Sequence, residues 1–286
     1  MNNIFNSFAL LELLHTGSEY LEAHGIAEPR TEADILMAYV LETSRDRLYL
    51  ERDLQISRQD REKYAGFLIR RGNRKPLAYL LKTREFMGLE FYVDSRVLIP
   101  RPETEILVEI ILEIGKNISY RRKKILDLCT GSGALAVAIA YYWREAAIVA
   151  ADISQEALNV AVHNADLMKV KIDFRQGDLF QPVINERFDI IVSNPPYVSA
   201  SEYSQCSPEV RQEPSLALLG GIDGLEFYRR IAAQADHFLY PGGVILMEIG
   251  SSQGIKVAEI FAGQAYKTVI IPDYAGLDRI VRAEKE

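Results

Sequence analysis

The sequence predicts an α/β protein built on a doubly wound, mainly parallel seven-stranded sheet, with a small N-terminal helical bundle and a linking β-hairpin. Three observations predict it. From about residue 123 short apolar runs alternate with helical runs, the pattern left in a chain by parallel strands joined through helical crossovers. A glycine-rich loop joins the first of these strands to the helix after it. Before about residue 82 the only periodicity is helical.

The elements follow in order. Ser7 can cap a run that sets Phe8, Leu11, Leu14 and Leu21 on a broad apolar stripe. Thr31-Glu-Ala-Asp opens a second run through Ile35, Leu36, Tyr39 and Val40, and Ser57 begins a third that Gly72 ends. Residues 1–82 therefore read as a helical domain that binds or positions a partner, the plainer alternative being a stabilising cap. Residues 83–98 alternate around Gly88 and read as a hairpin linking that domain to the rest, residues 99–286. Pro102 in Ile99-Pro-Arg-Pro-Glu-Thr-Glu suits the first turn of a helix through Ile106, Leu107, Ile110 and Ile111. Arg121-Arg-Lys-Lys reads as a solvated connection.

The seven strands are Ile125 to Cys129, Ala147 to Asp152, Val170 to Arg175, Phe188 to Val192, Val244 to Ile249, Tyr266 to Ile271 and Leu277 to Val281. Between them lie helices from Gly133 to Trp143, Ser154 to Met168 and Gly224 to Leu239. The loop between the last two strands is too short for a parallel crossover, so they should pair antiparallel at the sheet edge. Ligands of such a sheet sit at the carboxyl ends of its strands.

At 286 residues, with 48% hydrophobic and 26% charged residues, the chain can bury a large core plus a smaller one. A net charge of −7 and a pI near 5.3 argue against a long duplex nucleic-acid footprint, which needs Lys and Arg. Two cysteines, Cys129 and Cys206, make no disulfide framework and fit a reducing, bacterial-type cytosol. No secretory signal or bilayer-length apolar stretch is expected, and the scattered His15, His24, His163 and His237 show no metal-ligand spacing.

Chemistry gathers at two places. In Asp127-Leu-Cys-Thr-Gly-Ser-Gly, the Gly131-x-Gly133-x-x-Ala136 spacing meets the loose nucleotide fingerprint, where glycine admits close backbone approach to a ligand. Asp152 follows about 19 residues beyond Gly133 at the next strand's end, where a carboxylate can take both hydroxyls of a ribose. A dinucleotide or S-adenosylmethionine could answer both signals. Asp127 favours the second, because a carboxylate repels pyrophosphate and attracts a sulfonium and an ammonium group; the other reading of Asp127 is a residue that ties down loop amides. Asp178, after the third strand, falls near the adenine of such a ligand or is an ordinary loop acid.

The second place is Ser193-Asn-Pro-Pro-Tyr-Val, directly after the fourth strand. Asn194 offers a side-chain carbonyl and Pro195 a main-chain one, stiffened by Pro196. Two acceptors converging on one NH2 group would hold a planar amide or exocyclic amine, and Tyr197 could stack on its face. An amide nitrogen is a poor nucleophile, so alignment must do most of the work, and oriented reactions gain about 7–11 kcal/mol against about 1 kcal/mol for one hydrogen bond.

With these residues the chain resembles the class I, Rossmann-like S-adenosylmethionine-dependent methyltransferases, and among them the peptide chain release factor N5-glutamine methyltransferases of the HemK/PrmC family. The resemblance spans nearly the whole chain and adds Leu98-Ile-Pro-Arg-Pro-Glu-Thr-Glu, Arg211-Gln-Glu-Pro and Gly221-Ile-Asp-Gly-Leu to the motifs above. It implies methylation of the glutamine of a Gly-Gly-Gln motif in class 1 release factors, with S-adenosylhomocysteine as product. Carried over by position, Asp127, Cys129, Thr130, Gly131, Ser132 and Gly133 form the cofactor loop with Asp152 on the ribose. Asp178 and Leu179 fall on the adenine side, and Asn194, Pro195, Pro196 and Tyr197 receive the glutamine. Asn194 also adjoins the cofactor, and Asn194, Pro195 and Tyr197 are the catalytic set. The sequence departs from many relatives at Cys129, where they have glycine, and from some at Leu179, where they have an aromatic residue. A cytoplasmic monomer without a stable nucleic-acid or membrane partner is expected. Rival readings are adenine-N6 methylation of nucleic acid, which calls for a basic channel; glutamine methylation of a ribosomal protein, which Pro102-Glu-Thr-Glu disfavours; a dinucleotide-dependent dehydrogenase; and a noncatalytic binding module.

Overall fold

A computed structural model describes residues 9–50, 54–116 and 123–285. Ser7, Phe8, Arg121 and Arg122 lie outside them. Contacts divide the chain into two units, Met1–Lys82 with Pro208–Gln212, and Thr83–Ser207 with Glu213–Glu286.

The first unit contains α1 (Leu10–Ala23), α2 (Pro29–Val40), α3 (Arg45–Leu50), α4 (Arg58–Gly72) and α5 (Leu77–Leu81). Leu10, Leu13, Leu14 and Leu21 of α1 pack on Ala33, Leu36 and Met37 of α2 and on Tyr64 and Leu68 of α4. Two residues of the expected stripes face out, since Leu11 and Tyr39 are exposed. The second helix opens at Pro29 rather than Thr31, because proline fits a first helical turn whose N–H needs no partner. Ser57 caps α4 as expected, its hydroxyl accepting from the Asp60 amide at 3.1 Å. The later segment Pro208–Gln212 joins this unit through ion pairs: Glu209 accepts from Arg71 at 3.0 Å and from Arg74 at 2.9 Å, and Arg71 also pairs with Glu32.

The second unit begins with β1 (Thr83–Phe86) and β2 (Leu89–Tyr92), an antiparallel hairpin. Met87 and Gly88 between them both have positive φ, 53° and 68°, the geometry whose twist suits a two-residue hairpin turn. A 3-10 turn at Pro102–Thr104 leads into α6 (Glu105–Lys116). Then come β3 (Lys124–Leu128), α7 (Ala134–Tyr142), β4 (Ala147–Asp152), α8 (Gln155–Leu167), β5 (Asp173–Gln176), β6 (Phe188–Ser193), α9 (Ala200–Tyr203), α10 (Glu226–Phe238), β7 (Leu239–Glu248), α11 (Gly254–Ala262), β8 (Tyr266–Pro272) and β9 (Asp278–Lys285). The seven strands from β3 onward form one sheet in the order β5-β4-β3-β6-β7-β9-β8. The first five strands run parallel; β9 pairs antiparallel with β8, as the short final loop requires, and also antiparallel with β7.

Alternation along the strands sends side chains to two cores. Ile125, Ile148, Ile190 and Leu246 meet α6 and α7 on one face, while Leu126, Val149, Ile191 and Ile245 meet α10 and α11 on the other. Each fully buried aliphatic side chain contributes about 1.5–3 kcal/mol. The third strand starts later than expected, at Asp173 instead of Val170. Lys169, at φ 53°, closes α8 with its own amide on the Asp166 carbonyl and the Val170 amide on the Ala165 carbonyl, so Val170 is part of a helix cap. No helix among the described residues is long and apolar enough to cross a membrane.

The order puts β3 beside β6, with the chain leaving β3 for β4 on one side and β6 continuing to β7 on the other. Their carboxyl ends form the switch point at which an open α/β sheet offers a crevice.

Candidate active site

The first wall of that crevice is the turn from β3 into α7. Cys129, Gly131 and Gly133 all have positive φ, at 59°, 56° and 78°. A side chain at Gly133 would bring Cβ to 2.9 Å from Ala161 Cβ on α8, so glycine lets the two helices approach. A Cβ on Gly131 would meet nothing within 4 Å, which leaves its backbone open to a ligand. Cys129 holds the same left-handed geometry without being glycine, a strained choice that explains why glycine suits the position. Burial, with Asp152 nearby, pushes its thiol well above the ordinary range.

Asp127 lies beneath this turn and is fully buried. Its Oδ2 accepts from the Thr130 hydroxyl at 2.6 Å, while Oδ1 makes no hydrogen bond of full geometry among the described residues. Burial lifts its carboxyl to about 7, against the pull of the Thr130 hydroxyl and the Ala136 amide. At the end of β4, Asp152 accepts from the Gly131 amide at 2.8 Å and the Ser154 amide at 2.9 Å. Burial raises its pKa too, against those amides. Asp178 is held by Arg230 on α10, and Leu179 is buried with φ 49°.

A cavity of about 320 Å³ opens over these residues, within the range of small-molecule sites. Cys129, Thr130, Gly131 and Ser132 line it from the turn, Asp152, Asp178 and Leu179 from the strand ends, and Asn194 and Pro196 from β6. Asp127, Gly133, Pro195 and Tyr197 are not among the residues that line it. Much of the remaining wall is apolar, including Leu98, Leu135, Ile153, Leu216 and Phe227.

The turn after β6 is fixed from several directions. The Ser193 hydroxyl donates to the Leu128 carbonyl at 2.7 Å, tying β6 to the end of β3. Asn194 Nδ2 donates to Thr104 Oγ1 at 3.2 Å, and Thr104 donates to Glu248 Oε2 at 2.6 Å. Burial pushes Glu248 up to about 7 and the Tyr197 hydroxyl up to about 12. The Tyr197 carbonyl accepts from Gln253 Nε2 at 3.0 Å, and Val198 exchanges main-chain bonds with Leu218 and Gly220. A Cβ on Gly220 would fall 2.6 Å from the Pro196 carbonyl, so that glycine lets the 218–224 loop press directly against the prolines.

Comparison with known proteins identifies the family of the chain. A family model described as the PrmC N-terminal domain matches residues 12–81, and one described as the methyltransferase small domain matches residues 102–209. A release factor glutamine methyltransferase of Chlamydia trachomatis is 41% identical over 278 residues, covering 96% of this chain and 94% of its own. One from Clostridium acetobutylicum is 39% identical over 258 residues, covering 88% of this chain and 90% of its own. The chain belongs to the release factor glutamine methyltransferase family. Among solved structures, a methyltransferase from Pyrococcus furiosus shares the fold with a TM-score of 0.53 at 19% identity, over 70% of this chain and 90% of that one.

For a member of this family, the sequence reading left out four groups that shape the site. Thr104 and Glu248 hold Asn194, Arg230 holds Asp178, and Asn164 donates to the Ser132 carbonyl at 2.9 Å while pairing with both main-chain groups of Tyr92. Thr104 was present in the quoted Pro-Glu-Thr-Glu motif, but its partner is 144 residues away. Asn164 carried the one available signal, a polar residue on the apolar face of a helix.

Proposed function

We propose that the chain transfers a methyl group from S-adenosylmethionine to the side-chain N5 of the glutamine in the Gly-Gly-Gln motif of class 1 peptide chain release factors. The observation that carries this reading is the Asn194 amide, at the cavity wall and anchored through its Nδ2, which leaves a carbonyl oxygen to receive an NH2 group. The residues present fit the cofactor. Gly131 leaves space for close approach, Asp152 stands at the rim, and the buried Asp127 carries an oxygen, Oδ1, that makes no hydrogen bond of full geometry among the described residues. Thr130, Gly131 and Ser132 would hold the cofactor's amino-acid end, Asp152 its ribose, and Leu179 with the Asp178 backbone its adenine.

When bound, S-adenosylmethionine supplies an electrophilic methyl on a sulfonium. The remaining work belongs to the chain. Asn194 Oδ1 and the Pro195 carbonyl accept the two N–H bonds of the glutamine amide and turn its nitrogen toward the methyl. As positive charge grows on that nitrogen, the same two dipoles stabilise it without having to reorganise. Pro196 stiffens the Pro195 carbonyl and Tyr197 backs the amide plane. The released proton passes to water. Residues 1–82 hold the folded protein substrate, residues 83–98 connect them to the methyltransferase domain of residues 99–286, and the enzyme acts as a cytoplasmic monomer.

Incubating the full chain with labelled S-adenosylmethionine and either a class 1 release factor or DNA, then locating the label by mass spectrometry, tests the reading. A label on the Gly-Gly-Gln glutamine is expected, and a label on adenine or on another protein residue would overturn it. Asp152→Ala is expected to weaken S-adenosylmethionine binding by about 10- to 100-fold in calorimetry, since one carboxylate would lose two hydroxyl partners and the Gly131 amide its anchor. Unchanged affinity would remove Asp152 from the ribose.

A further inference from the structure

We propose that Thr104 and Glu248 are positioning residues that decide which end of the Asn194 amide faces the substrate. The inference rests on the reading of Asn194 as the acceptor for the glutamine NH2. Thr104, at the end of the 3-10 turn before α6, and Glu248, the last residue of β7, are 4% and 1% exposed, so water does not compete for their hydrogen bonds. A carboxylate only accepts, and a hydroxyl has a single proton. The 2.6 Å contact commits the Thr104 proton to Glu248, and Thr104 Oγ1, 3.2 Å from the Asn194 amide, can then only accept. The amide must turn its NH2 to Thr104. Its Oδ1 has no hydrogen-bond partner among the described residues and is the atom left for the substrate. A reversed amide would set NH2 against NH2 and lose both alignment and charge stabilisation.

The charged and titratable groups around Glu248 are Arg279 from β9, Arg101 and Glu103 from the segment before α6, and Tyr197 after β6, while the Tyr228 hydroxyl of α10 donates to its main-chain carbonyl at 2.9 Å. Within this shell, protonated Glu248 becomes a donor to Thr104. The Thr104 proton is then free to bond Asn194 Oδ1, and the amide reverses. Since burial lifts Glu248 to about 7, the reversal sets in as pH falls through about that value.

The test is steady-state methylation of a class 1 release factor by the full chain. Thr104→Val should lower kcat about tenfold with KM for the release factor and Kd for S-adenosylmethionine within about twofold, and Thr104→Ser should restore kcat to within about twofold. Wild-type kcat should fall as pH drops below about 7, whereas Glu248→Gln should give a lower kcat that is flat between about pH 6 and 8. Unchanged kcat in Thr104→Val beside an inactive Asn194→Ala would overturn the relay alone. So would a Thr104→Ser variant that fails to recover, or a Glu248→Gln variant with the wild-type acid limb. Full kcat in Asn194→Ala would overturn the reading of Asn194 beneath it.

Discussion

Asn194→Ala is expected to lower kcat for methyl transfer by about 100- to 1,000-fold while leaving the Kd for S-adenosylmethionine within about threefold. The two effects separate because of where the groups lie. The proposed cofactor contacts come from the β3–α7 turn and the ends of β4 and β5, whereas Asn194 reaches the cavity from β6 on the other side of β3. Removing its carbonyl would take away one of the two acceptors proposed to align the substrate nitrogen and stabilise the charge growing on it, effects realised most fully in the transition state. The KM for the release factor should change little, since a protein substrate spreads its binding over a larger surface than one amide. Single-turnover methylation with calorimetry on the same preparation checks both halves. Lost cofactor binding with normal turnover per bound complex would assign Asn194 to the cofactor instead of the substrate.

The place of Asn194 at the sheet edge was legible in the sequence because the stretch around it is contiguous. A strand end, an asparagine, two prolines and a tyrosine occupy neighbouring positions, and the strand period alone brings them to the carboxyl edge of the sheet. Asp152 and the glycine turn were legible for the same reason. What holds them was not. Thr104, Asn194 and Glu248 come from three distant stretches that meet only after β6 and β7 pair in register, Ser193 opposite Met247. Glu209 likewise joins the helical unit through Arg71 and Arg74, more than a hundred residues earlier, and no local pattern announces that pairing. The helical stripes failed at Leu11 and Tyr39 because periodicity selects a face but the partner helices decide its width. Val170 has strand composition and became a cap because one left-handed residue, Lys169, turned the chain first.

Asp127→Asn is expected to make the folded protein more stable and its cofactor binding weaker, with both differences growing as pH rises. In the folded chain burial lifts Asp127 to about 7, well above the usual carboxylate value of about 3.9 that it regains on unfolding. A group whose pKa is raised by folding contributes stability that is fully present below its unfolded value and is lost as pH climbs through its folded value. Ionising Asp127 thus destabilises the wild type between about pH 4 and 7, and at pH 8 the cost is on the order of a few kcal/mol. Asparagine keeps the shape and an oxygen for the Thr130 hydroxyl without that charge. Glu248 titrates with the same sign in both proteins and cancels from the comparison. The opposite trend holds for the ligand. On the proposed cofactor reading, ionised Asp127, whose Oδ1 makes no hydrogen bond of full geometry among the described residues, would attract the cationic end of S-adenosylmethionine, so the asparagine variant should bind about 10- to 100-fold less tightly at pH 8. At about pH 5, with Asp127 protonated in the folded protein, the two affinities should converge. Thermal melts and calorimetry at both pH values measure the two slopes together. A variant that melts higher at pH 8 yet binds the cofactor as well as the wild type would leave Asp127 a loop-tying residue and take it out of cofactor recognition.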